Sequence, residues 1–255
     1  MFGLRLILRP TAPLTFRRVP FSTLEMLTYP FLPPTTLSGF LDRTLRLARG
    51  QALPDFSNAG ETTFYALPQS YHVLGALADP GPTIVPTTRH GVRDLGHVAF
   101  SRLHQPQQKT NKENYQLYRW EYLFTDALVG YVLHEDEESL EPLFEILNFG
   151  CKLGKEGWAY VEHIDGPFAL EVQREKARPS CLVPAIEAFG GSTHMYPLYR
   201  YAWREAGATA HVLGGGPAPI DGFVPFLAAV VDSPLELDYY RGNGATIPVS
   251  LLAYF

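Results

Sequence analysis

Paired cations set beside a stiffened stretch of chain are the first feature with chemical content. Arg17-Arg18 precede the run Tyr29-Pro30-Phe31-Leu32-Pro33-Pro34-Thr35-Thr36. Pro30, Pro33 and Pro34 hold the backbone extended and exclude helix just before them. Thr35 or Thr36 is then placed to accept a hydrogen bond from the first free N–H groups of a following helix. A helix N-terminus beside arginines suits an anion, so Arg17, Arg18, Tyr29, Thr35 and Thr36 form the first candidate set. A second set lies in Phe149-Gly150-Cys151-Lys152-Leu153-Gly154-Lys155-Glu156-Gly157-Trp158. Gly154 and Gly157 let backbone approach a ligand closely, Lys152 and Lys155 supply charge, and Trp158 offers a π face to a base. The plain alternative is a β-turn over a buried tryptophan. A third set falls in residues 86–119, where Arg89, Arg93, Arg102, Lys109, Lys112 and Arg119 outnumber Asp94 and Glu113. Such a basic excursion suits phosphate contacts, which give affinity without reading sequence. The plain alternative is a solvated surface loop.

Other chemistries find less support. No Walker loop, no HExxH and no Gly-x-Ser-x-Gly occurs, which leaves nucleotide hydrolysis, zinc proteolysis and serine hydrolysis without their motifs. The cysteines, Cys151 and Cys181, have no metal-ligand spacing and suggest no disulfide framework, so no metal or other cofactor is expected and a reducing cytoplasm is the expected compartment. Of eight histidines, His72 sits in an expected strand and is expected in the core. His90, His97 and His104 fall in the basic insertion, where binding is the expected role. His134, His163, His194 and His211 lack a carboxylate or cysteine at a spacing that recommends a metal site. No catalytic residue is therefore expected. No apolar run reaches membrane-spanning length, so no membrane partner is expected.

The elements that would position these residues follow from periodicity. Residues 2–9 alternate as a strand with Arg5 and Arg9 on one face. Leu37, Phe40, Leu41, Leu45 and Ala48 predict a helix, with Arg43, Arg46 and Arg49 toward its C-terminal end and Gly50 as its stop. Strands are predicted at 62–67, 71–77, 126–133 and 158–163, and a second helix at 139–148, capped by Ser139, with Leu140, Leu143, Phe144 and Leu147 as its apolar stripe. Tyr115, Tyr118, Trp120, Tyr122 and Phe124 read as one face of a strand, packed on a helix or open as a stacking platform. This order is that of a ferredoxin-like unit, the architecture of RNA-recognition modules. The expected fold is thus α+β: a ferredoxin-like domain over 1–164 with an inserted basic thumb at 86–119, then a β-rich subdomain over 165–255 with strands at 168–172, 181–184, 223–231 and 249–254. Net charge is -5, yet residues 1–49 carry a balance of +5 and residues 205–255 one of -4. That polarity suits one face on a polyanion and another on water or a basic partner, or it is ordinary scatter.

From Phe2 to about Gly157 the chain resembles the CRISPR-associated RAMP proteins of the fifth Cas family. The resemblance is carried by the opening run of Arg17-Arg18 and Tyr29 to Leu41, by the basic insertion, and by the glycine-rich loop directly after the second helix. It implies a non-catalytic subunit of a type I Cascade complex that holds the 5′ handle of crRNA. Its protein partners would be the large subunit and the first backbone subunit of the seventh Cas family, with target DNA contacted indirectly through the complex. The resemblance also places a β-hairpin thumb at the insertion. One branch of that family cleaves precursor RNA with a Tyr, Lys and His set. An endoribonuclease is therefore the alternative, although this chain has no adjacent Lys-His pair. A free-standing RNA-binding module would explain the charge distribution but not the opening run.

Overall fold

Leu4, Leu6 and Leu8 are wholly buried and alternate with half-exposed Arg5 and Arg9 along strand β1 (Phe2–Pro10). Burial of each leucine stabilises by about 1.5–3 kcal/mol, which fixes which face of the strand turns inward. The computed structural model describes residues 1–19, 25–53, 64–92, 115–188, 193–204, 212–213 and 218–255. After β1 come β2 (Glu25–Met26), β3 (Phe31–Leu32), helix α1 (Pro34–Ala48) and β4 (His72–Asp79). The hairpin arms β5 (Thr83–Val92) and β6 (Tyr115–Phe124) follow, then β7 (Ala127–His134), a 3₁₀ helix over Glu138–Ile146, β8 (Gly150–Lys152) and β9 (Trp158–Ala169).

One antiparallel sheet has the order β3-β4-β7-β1-β9-β8. Its inner four strands, with α1 after β1 and the 3₁₀ helix after β7, make the β-α-β-β-α-β ferredoxin-like unit. Leu37, Phe40, Leu41 and Leu45 of α1 join the β1 leucines and Leu140, Leu143 and Ile146 in one core. On the other face of β1, Arg9 donates to Glu162 at 2.8 Å and Arg5 lies 3.7 Å from Asp165, so both cations are neutralised within the sheet.

The second helix departs from expectation. It is 3₁₀, with Pro142 inside it, and a proline withholds the N–H that an α-helix would use there. The buried stripe consequently repeats every third residue, Leu140, Leu143 and Ile146, and leaves Leu147 exposed. Ser139 is not its cap; Ser139 N–H and Oγ both donate to Asp136 Oδ2, at 3.1 and 2.7 Å. The strand expected at 62–67 is absent from its described part. Phe64–Leu67 is irregular and is tied instead by the Leu67 N–H donating to Ser38 Oγ at 3.0 Å. The hairpin is longer than expected, its ladder running unbroken from Thr83 opposite Phe124 to Val92 opposite Tyr115.

Among the described residues six further strands follow: β10 (Glu171–Ala177), β11 (Val183–Pro184), β12 (Thr193–Trp203), β13 (Ile220–Val231), β14 (Leu235–Gly242) and β15 (Ala245–Pro248). They form the sheets β11-β13-β12 and β10-β14-β15. Asn243 and Gly244, both at positive φ, close β14 onto β15 in the way an Asn-Gly hairpin requires. Residues 249–254 form a 3₁₀ helix where a strand was expected, since Pro248 has no N–H to extend β15. Leu182, Leu198, Phe226, Ile247 and Leu251 belong to the same core as β1, and the expected division between 164 and 165 falls inside β9.

Candidate nucleic-acid interface

Along α1, Thr36, Gly39 and Arg43 recur at helical spacing on the side away from Leu37, Leu41 and Leu45. Gly39 allows the 64–65 segment to lie close, since a Cβ there would sit 3.0 Å from the Tyr65 carbonyl oxygen. Opposite them runs the glycine-rich turn between β8 and β9. Between these walls lies a cleft of about 450 Å³ lined by Arg17, Thr35, Thr36, Arg43, Lys152, Gly154 and Lys155, with the rings of Phe64, Tyr65, Tyr201 and Phe223. No carboxylate is among the described lining residues. Arg43 and Arg46 set their guanidinium carbons 5.9 and 5.8 Å from the Tyr65 ring centre, and burial raises the Tyr65 hydroxyl pKa. Arg46 is taken up by buried Asp42 at 2.9 Å, whereas Arg43 has a buried Nε without a hydrogen-bond acceptor.

The structure sorts the expected contact residues. Arg17, Thr35, Thr36, Lys152, Gly154 and Lys155 converge on the cleft, although 17, 35–36 and 152–155 are far apart in sequence. The threonines do not cap α1. Pro33 is the N-cap, without a side-chain bond, and Thr35 and Thr36 lie in the first turn. Arg18 lies over the Tyr196 ring at 5.1 Å. Tyr29 is buried, 3 % exposed, and its hydroxyl donates to the Pro197 carbonyl, so it is a core residue and not a contact. Burial pushes its pKa up to about 12.

Gly154 and Gly157 do allow close backbone approach, but to the protein's own chain. At φ +76, a Cβ on Gly154 would lie 2.6 Å from the Thr15 carbonyl oxygen; at φ +122, one on Gly157 would lie 2.5 Å from Leu14 Cδ2. Trp158 is 55 % exposed, which removes the buried-tryptophan reading, and it stands opposite Lys152 in the β8–β9 ladder. Arg93, Lys109 and Lys112 lie outside the described residues.

Arg89 is held within the hairpin ladder, opposite Tyr118. Its two terminal nitrogens donate to the two carboxylate oxygens of Glu156, each at 2.8 Å, and its guanidinium carbon lies 4.4 Å from the Trp120 ring centre and 5.2 Å from that of Tyr122. The Tyr122 hydroxyl also donates to Glu156, at 2.9 Å. The aromatic face expected on β6 therefore serves a charge clasp in part. Sequence reading missed Arg43, assigned there only to the helix end, and missed Phe64, Tyr65, Tyr201 and Phe223. Arg43 was findable, because it shares a helix face with Thr36.

The described residues hold no group of three or more His, Cys, Asp or Glu suited to a metal ion. Burial lowers the His72 pKa, and the His134 ring closes a turn by accepting from Asp136 N–H at 2.9 Å. No described helix is long and apolar enough to cross a membrane.

No protein-family model and no curated protein sequence matches this chain. Among solved structures it is similar to a chain of type III-B Cmr-beta bound to cognate target RNA and AMPPnP, with 16 % identity, TM-score 0.44, and coverage of 91 % of this chain and 86 % of that one. A second structure of type III-B Cmr-beta, bound to cognate target RNA, gives 14 % identity and TM-score 0.43 over the same shares. A CRISPR protein from Archaeoglobus fulgidus gives 13 % identity and TM-score 0.41, covering 97 % of this chain and 98 % of that one.

Proposed function

We propose that this chain is a non-cleaving RNA-binding subunit of a CRISPR effector complex. The observation that carries the reading is the convergence of Arg17, Arg43, Lys152 and Lys155 on one cleft with aromatic rings in its walls and no carboxylate among its described lining residues. Cations track a phosphate backbone, and rings accept unpaired bases, which suits single-stranded RNA better than duplex. The finer assignment rests on the opening run of the sequence: a type I Cascade subunit of the fifth Cas family that holds the 5′ handle of crRNA in the cytoplasm. On that reading it abuts the large subunit and the seventh-family backbone subunit and meets target DNA only through them. None of the described residues lining the cleft is a histidine, which favours holding RNA over cutting it.

The test is a filter-binding series on labelled repeat RNA. With four cations engaged, log affinity should fall against log salt with a slope of about -3, a loss of about 50-fold between 50 and 200 mM. The RNA should stay intact both without metal and with magnesium, and a strand lacking the handle should bind more weakly. Specific cutting beside the handle would make the chain an endoribonuclease. Equal affinity for handle and scrambled strands would leave general RNA binding and remove the handle assignment.

A further inference from the structure

A second recess, of about 350 Å³, lies on the far side of the wall made by Thr35 and Tyr201, where the Tyr201 hydroxyl donates to the Thr35 carbonyl at 2.6 Å. Rings of Tyr71, Trp203 and Tyr254 line it, together with Gln69 and Arg200. Three features define what it can hold. Its volume is near the lower end of the roughly 300–1,000 Å³ of small-molecule sites, room for one compact unit. Its walls combine the rings of Trp203 and Tyr71 with the Gln69 amide, which can donate and accept, the pairing that recognises a base by its face and its edge; the Tyr71 and Tyr201 hydroxyls are already given to the Ser139 and Thr35 carbonyls. Its one cation, Arg200, is half-buried and makes no ion pair among the described residues, and no carboxylate side chain is among the described lining residues. Arginines elsewhere on the surface are commonly paired, as Arg174, Arg178 and Arg204 are. A planar, hydrogen-bonding unit carrying an anion meets all three conditions, whereas an aliphatic anchor of a partner protein would leave the cation and the polar rim unanswered.

We infer that this recess is a mononucleotide site: it takes one unpaired base against Trp203 and Tyr71, with the attached phosphate at Arg200. The inference rests on the RNA-binding reading for its first source of ligand, a nucleotide turned out of the strand in the neighbouring cleft across the shared Thr35–Tyr201 wall. A free nucleoside monophosphate is the second source, with the same chemistry.

Two arms on the full chain test it. In the first, the four nucleoside 5′-monophosphates are titrated while tryptophan fluorescence is followed. Quenching is expected that disappears in Trp203→Phe and whose half-saturation rises by roughly 5-fold or more in Arg200→Gln. In the second, an abasic nucleotide is walked along a bound single-stranded RNA. One position is expected to lose roughly 5- to 100-fold in affinity, and that penalty should vanish in Trp203→Phe. Thermal melts of both variants accompany each arm, and Arg200→Gln, which removes no packed ring, carries the test if Trp203→Phe is unstable. Quenching by mononucleotides in a chain that binds no RNA would keep the site and overturn the RNA reading. RNA binding with a flat abasic walk and no quenching that depends on Trp203 or Arg200 would overturn the site and keep the RNA reading. In that event the recess is free for an aromatic anchor of a partner protein.

Discussion

In the cleft, Arg43, Lys152 and Lys155 make no ion pair among the described residues. One residue on from Lys155, where the hairpin meets the glycine-rich turn, Glu156 accepts from both Arg89 and Tyr122. That junction also binds the opening segment: Thr15 N–H donates to the Glu156 carbonyl and Lys155 N–H to the Thr15 carbonyl, at 2.9 and 2.8 Å. Trp120 Nε1 donates to Thr15 Oγ1 at 3.0 Å. Both regions are built from the same basic and aromatic residue types. The difference is that backbone pairing brings a carboxylate to Arg89 and none to Lys155, so a cation's availability is a property of topology and not of local composition.

The largest effect that would test this division concerns the glycines of the junction. Gly154→Val is expected to lower stability by about 3 kcal/mol, from overpacking against Thr15 together with the positive φ. Gly50→Ala, also at positive φ but with nothing within 4 Å of the added Cβ, should cost about 1 kcal/mol. Urea denaturation measures both. A Gly154→Val protein as stable as wild type but unable to hold RNA would return this glycine to the ligand side.

Tyr29 gives the next effect, through pH. Its folded pKa, raised to about 12 chiefly by burial, exceeds the value near 10 of an unfolded tyrosine. The folded state therefore retains the proton in a window where the unfolded state has lost it. Stability from this group is whole below pH 10 and drains away as pH rises through 12, on the order of 2 kcal/mol. Tyr29→Phe should flatten that alkaline decline while leaving RNA affinity within about twofold, because the ring is core and not contact. A large loss of RNA affinity with unchanged stability would move Tyr29 back to the interface. In the cleft itself, Lys152→Ala with Lys155→Ala should weaken RNA binding by about 10-fold and reduce the salt slope by about 1.4, with stability changed by no more than about 0.5 kcal/mol.

The periodicity of Leu4, Leu6 and Leu8 and of Leu37, Leu41 and Leu45 was enough to read β1, α1 and the ferredoxin-like order, because strands and helices expose their buried face at fixed intervals. What escaped was set by non-local partners or by a single atom. Pro142 changes a helix of period 3.6 into one of period 3, and only its missing N–H signals this. Phe64 and Tyr65 reach the cleft from an irregular segment, held beside α1 by Ser38, and no pattern in sequence announces that. Lys152 and Lys155 were legible as exposed charge in a glycine-rich turn. Tyr29 was not legible as core, since its burial depends on Pro197, 168 residues away.

Arg89 gives the smallest effect and the sharpest test of the comparison. Arg89 and Glu156 are 40 % and 38 % exposed, so solvent screens their bidentate pair and its coupling should be no more than about 1 kcal/mol in a double-mutant cycle. Arg89→Ala should then alter RNA affinity by about twofold at most, because the charge it removes is already answered by Glu156. Glu156→Gln should act in the opposite direction. It leaves Arg89 uncompensated beside the glycine-rich turn and should strengthen RNA binding by about two- to threefold, with a steeper salt slope. The two substitutions together should return affinity toward wild type. If Arg89→Ala instead costs as much as Lys155→Ala, and Glu156→Gln changes nothing, then the clasp opens when RNA arrives and this part of the hairpin belongs to the interface after all.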